Sequence, residues 1–141
     1  MLMPGVQEQA TSPLTAISNA MVRLHKEHFG RGPSTVRSHF AGPDALVCIL
    51  EDVLLPAERK LVAMGDLQRV REMRMAFQVA TTEEFVSSIE QIVKRKVRAF
   101  SSGTDVTQNV VFENFVFEPG EGAGRCDGSP DDGETADRLG A

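Results

Sequence analysis

The sequence predicts an α+β domain in the order α-β-β-α-α-β-β, an antiparallel four-stranded sheet with helices packed on one face. Three observations carry that expectation. Apolar residues recur at spacings of three and four over 14–28 and again over 67–92, the period of an amphipathic helix. Four shorter runs (35–40, 45–50, 97–101 and 110–117) are rich in β-branched and aromatic residues. Those runs fall into two pairs, each joined by turn-forming residues, as hairpins require and alternating βαβ units do not.

Ser12 is placed to cap the first helix, with Pro13 at its first position, where a missing N–H costs nothing. Leu14, Ile17, Met21, Leu24 and His28 form its apolar stripe, and Gly30 closes it. Thr35–Phe40 alternates Val36, Ser38 and Phe40 against Thr35, Arg37 and His39, so one face is expected to meet water. Ala-Gly-Pro-Asp turns the chain into 45–50, which is apolar on both faces and expected to lie centrally. Pro56 opens a short helix that ends at Gly65, and Asp66 caps a long one. On the long helix, Leu67, Val70, Arg74, Phe77, Thr81, Phe85, Ser88 and Ile92 share a side. Thr81-Thr-Glu-Glu has the form of a capping box, which predicts a kink or break there. The second hairpin is expected as 97–101 and 110–117 around the loop SSGTDVTQN. Its last strand reads as slipping in phase near Glu113-Asn114, as a bulge or burial on both faces would cause.

Three segments follow: a flexible leader at 1–10, one α+β domain at 11–118, and an acidic Gly-rich tail at 119–141 whose composition predicts disorder. From Glu118 onward seven acids face two bases, which accounts for the whole net charge of -5 and leaves a neutral body. A neutral body lacks the cationic surplus that nucleic acid demands, so no nucleic-acid partner is expected, although Phe100, Phe112, Phe115 and Phe117 could stack bases beside the basic KRKVR segment. The longest apolar run, Ala45–Leu50, is far short of the roughly 20 residues of a membrane span. The N-terminus has neither the basic nor the apolar segment of a signal peptide. Cys48 reads as a buried small hydrophobe and Cys126 lies in the tail, so a reducing, cytoplasmic setting is expected.

The stretch HFGRGPSTVRSHF joins a helix to a strand. A Walker loop runs the other way and carries a lysine, so Gly30, Gly32 and Pro33 read first as a structural turn. The alternative makes Arg31, Arg37 and His39 a small anion-contacting group. Arg74 stands in the middle of an apolar stripe. A guanidinium there needs a partner, since burying it alone costs on the order of several kcal/mol. Either it pairs with Glu51, Asp52 or Glu58, or it faces inward toward an anion or partner. No nucleophile elbow, catalytic triad order, paired-carboxylate motif or metal-ligand spacing stands out, so no catalytic, cofactor or metal residue is assigned and no cofactor is expected.

SNAMVRLHKEHFGRGPSTVRSHF, LVCILEDVLLPAERKLVAMG, VREMRMAFQ, RKVRAFSS and VVFENFVFEP, in this order and spacing, resemble the MpsC family, long a domain of unknown function. The resemblance runs from about Thr15 to Pro119, and its most specific pieces are GRGP and the VRExRxxFQ pattern bearing Arg71, Arg74 and Gln78. Two departures stand out: Leu55 where the family commonly has a Thr that caps a helix, and Asn114 in place of an apolar residue. The family is named for a sodium-translocating, membrane-potential-generating system. The resemblance therefore implies a soluble, non-catalytic accessory or regulatory protein of membrane ion or solute transport, with a transport subunit as partner and a place at the inner face of the membrane. A Phe-rich sheet on a short chain adds the expectation of a homodimer. The rival readings are a small-anion or metabolite-sensing homodimer and, last, a nucleic-acid binder.

Overall fold

The computed structural model describes residues 12–120, so the expected leader at 1–10 and nearly all of the tail at 119–141 lie outside the described residues. Helix α1 (Pro13–Phe29) opens as its sequence requires: the Ser12 hydroxyl accepts from the Thr15 N–H. It ends at Gly30, whose φ of 85° is the left-handed turn glycine accepts without strain, and whose N–H donates to Lys26 O. Strands β1 (Thr35–Phe40) and β2 (Ala45–Glu51), helices α2 (Pro56–Ala63) and α3 (Leu67–Val93), and strands β3 (Val97–Asp105) and β4 (Val110–Phe117) complete the predicted order. The sheet runs β1-β2-β4-β3 with every pair antiparallel. The doubly apolar β2 is central, as its composition predicts.

Three local expectations are corrected. Helix α3 is continuous through Thr81, because the Thr81 and Thr82 hydroxyls donate to the carbonyls of Phe77 and Gln78 (2.7 and 2.6 Å) and so satisfy themselves inside the helix. Strand β3 runs on to Asp105, with Gly103 and Thr104 paired to Phe112 and Val111; cross-strand pairing overrides the weak strand preference of Ser-Ser-Gly. Strand β4 does not slip. Val111, Glu113, Phe115 and Phe117 all face inward in strict alternation, and the sheet's irregularity sits in β3 between Val97 and Ala99.

Helices α1 and α3 pack on each other and on one face of the sheet, α1 over β1 and α3 over β3. Ile17, Met21 and Leu24 from α1 and Phe85 and Ile89 from α3 meet Leu46, Leu50, Val111, Phe115 and Phe117 in the core. A smaller cluster of Leu54, Val70 and Val106 seats α2 against the start of α3. The opposite sheet face carries Arg37, His39, Val47, Ile49, Phe112 and Val116, all half-buried or exposed.

Candidate functional site

Two buried side-chain pairs organise the space between the helices and the sheet. The first follows from the sequence of α2. Pro56 starts the helix but Leu55, at the cap position, has no side-chain acceptor to offer. Glu58 compensates by reaching back to accept the Leu55 N–H at 2.8 Å. The same carboxylate receives Arg74 in a fork, Nη2 to Oε1 at 2.6 Å and Nε to Oε2 at 2.9 Å. Both side chains are almost fully shielded from solvent. Arg74 also donates to Val53 O at 3.2 Å and lies 4.2 Å above the centre of the Phe29 ring. Of the three carboxylates the sequence allows, Glu58 is the one that meets Arg74.

Arg31 and Arg74 come from opposite ends of the sequence pattern yet grip one segment. Arg31 donates to the carbonyls of Asp52 and Leu54 and to the Asp52 carboxylate, while Arg74 takes Val53 O between them. Asn109 accepts the N–H groups of Val53 and Leu54 at 2.8 and 2.9 Å. The backbone leaving β2 is thereby satisfied on both sides. Gly32 lies close against α1, where an added Cβ would come within 3.1 Å of Lys26 Cγ. The GRGP turn and Arg74 thus hold the chain where it passes from β2 into α2.

The second pair joins α1 to β4. His25 Nε2 lies 3.1 Å from Glu113 Oε2, and the two residues are each 3% exposed. Glu113 Oε1 has no hydrogen-bond partner among the described residues. His25 stands between Phe29 and Phe85, 5.5 and 5.6 Å between ring centres, and the chain of rings continues through Phe100 to Phe115. His25, not His28, is the histidine turned inward. His28 instead faces Glu84 at 2.8 Å near the surface.

These groups border a cleft between α3 and β3. Its inner chamber, about 20 Å³, is walled by phenylalanine rings, Arg74 and Glu113. A wider outer cleft of about 150 Å³ shares Arg74, Gln78, Ser102 and Thr104 with it and has Arg71 on its rim. Arg71, Arg74 and Gln78, the residues of the VRExRxxFQ pattern, are therefore gathered at one place. Arg37 and His39 stand on the open face of β1, Arg37 3.8 Å from Glu51. Arg31 is in the turn.

A family model matches residues 12–119, the model of the Na+-translocating membrane potential-generating system (MpsC). The chain belongs to the MpsC family. No curated protein and no solved structure matches it. Within this MpsC domain no described helix is long and apolar enough to cross a membrane. Among the described residues no group of three or more His, Cys, Asp and Glu side chains is placed to hold a metal ion. Cys48 is buried, and burial pushes its thiol from 9.0 up to about 11, outweighing the hydrogen bond from Ser38. A protonated thiol is a poor nucleophile, so this MpsC cysteine is a packing residue.

The residues that a reading of the sequence missed are His25 and Glu113. Glu113 was within reach, since counting in twos from Phe117 places it in phase with Phe115 and Val111. Its partner was not, because His25 is 88 positions away in the chain.

Proposed function

We propose that this MpsC-family protein is an accessory or regulatory component of a membrane system that moves ions or solutes, and that it carries out no chemistry of its own. Family membership is the observation that carries this reading. A chain whose described helices are too polar to span a bilayer would act from the membrane surface through a partner that does span. The open sheet face suits a docking role, with Ile49 and Phe112 paired across β2 and β4, Val116 farther along β4 on the same face, and Phe112 38% exposed. On this reading a second copy of the chain, the transport subunit, or each in turn covers that face.

The test is affinity purification of the full-length protein from gently solubilised membranes, with Phe112→Asp as control. Recovery of a polytopic transport subunit by the native protein and its loss with Phe112→Asp is the expected result. Recovery of the protein alone, by both forms, refutes the accessory role. The rival anion sensor has less to stand on, because Arg31 and Arg74 spend their donors on protein partners and Arg37 and His39 lie on the other face.

A further inference from the structure

We propose that the cleft between α3 and β3 binds a small primary amine of the amino-acid class, its ammonium group held in the inner chamber by Glu113 and its carboxylate at the outer rim beside Arg71. This site goes beyond the accessory role and does not depend on it.

The inner end determines the chemistry. Glu113 is a buried carboxylate whose Oε2 is taken by His25 and whose Oε1 faces no donor of the described residues. A buried acceptor in that state favours whatever brings it an N–H or a positive charge. An ammonium group brings both. The remaining wall suits the same group, since Phe29, Phe77, Phe85 and Phe100 line the chamber and aromatic faces attract cations. Arg74, also in the wall, does not repel it strongly, because Glu58 neutralises that guanidinium at 2.6 Å. A transition metal would need nitrogen and sulfur ligands that the cleft does not gather. The lining also carries the oxygens of Gln78, Thr81, Ser102 and Thr104, so an alkali cation is the competitor that the sodium chloride titration below tests.

Size determines the rest. A chamber of about 20 Å³ admits one water-sized group, an ammonium head but not a branched or methylated amine. The outer cleft, about 150 Å³, is of the size that holds a benzene-sized body. It is lined by polar groups, Gln78, Ser102 and Thr104, with the cationic Arg71 at its mouth. Ser102 sits directly across the β3–β4 pairing from Glu113 and lines both spaces, so the two adjoin there. A ligand positive at its inner end, short in its carbon stem and negative at its outer end matches this gradient.

The experiment is calorimetric titration of the full chain with γ-aminobutyrate, β-alanine, n-butylamine, butyrate and sodium chloride at matched ionic strength. Proton NMR of the phenylalanine rings reports on the chamber itself. We expect binding of the amines and none of butyrate or sodium chloride, with ring shifts on titration. Glu113→Gln keeps the side-chain shape but removes the charge and is expected to weaken γ-aminobutyrate about tenfold or more. Arg71→Ala is expected to weaken γ-aminobutyrate about threefold and leave n-butylamine unchanged. Ser102→Leu, which fills the space beside Glu113 while leaving its carboxylate in place, serves if Glu113→Gln does not fold, and it is expected to abolish binding. Equal binding of butyrate, saturation by sodium chloride, or full binding by both Glu113→Gln and Ser102→Leu overturns the proposal. So does the absence of heat and of ring shifts with every amine at tens of millimolar, which would mark the chamber as a place for water.

Discussion

Replacing Arg74 by Met leaves Glu58 as a charge with 1% of its surface exposed and only the Leu55 N–H for company. Removing one partner of a buried pair costs about 3–5 kcal/mol, since the other stays buried and unpaired. The lost bond to Val53 O adds about 1 kcal/mol. Domains of this size hold only about 5–15 kcal/mol in all. Arg74→Met is therefore expected to lower the melting temperature by about 10–20 °C. The double variant Glu58→Met/Arg74→Met removes both charges and fills the space with apolar atoms. It forfeits only the Leu55 cap and the Val53 bond, about 2 kcal/mol together. The double should thus be more stable than Arg74→Met alone. Arg74→Lys keeps the charge without the fork and should fall between. The chain has no Trp or Tyr, so urea and thermal unfolding are best followed by far-UV circular dichroism. An Arg74→Met variant within about 1 kcal/mol of the native protein, or a double variant whose cost equals the sum of the singles, refutes the account of the pair.

Other predictions follow from particular contacts. Cys48 binds its proton more tightly folded than unfolded, so its stabilising contribution is complete below pH 9 and is lost as pH rises through about 11. The rise corresponds to roughly 2–3 kcal/mol, and denaturation of Cys48→Ala should show that much less alkaline loss. Alkylation of the Cys48 peptide, read by mass spectrometry at neutral pH, should require unfolding. Asn109→Ala strands the N–H groups of Val53 and Leu54 and should cost about 2–3 kcal/mol in urea unfolding. Gly30→Ala forces a side chain onto a φ of 85° and should cost about 1 kcal/mol by the same assay. If a second copy covers the open sheet face, Phe112→Asp should halve the mass seen by light scattering while leaving the circular dichroism unchanged.

Much of the fold was legible because its signals are local. Ser12 and Gly30 mark the ends of α1 by what their own atoms can do, and the period of apolar residues follows from the geometry of helix and strand. Glu58 was visible as one of three candidate partners for Arg74, no more. The errors came where long-range pairing overruled local preference: Ser102 to Asp105 became strand only because β4 lies beside them. The apparent break at Thr81 vanished because hydroxyls that cap a helix start can also bond back within one.

The sequence by itself determined the order of elements, the central place of β2, the caps, and the need of Arg74 for a partner. Family membership too was legible in the order of its motifs. Only the tertiary structure decided which carboxylate Arg74 meets, that Arg31 joins it on the segment from Asp52 to Leu54, and that His25 closes on Glu113. Strand and helix periods say which way a side chain points from its own backbone. Which groups then face each other depends on the register of β2 on β4 and the seating of α1 and α3 on the sheet. Those are set by the packing of residues far apart in the chain, and the cleft beside Glu113 exists only once that packing is complete.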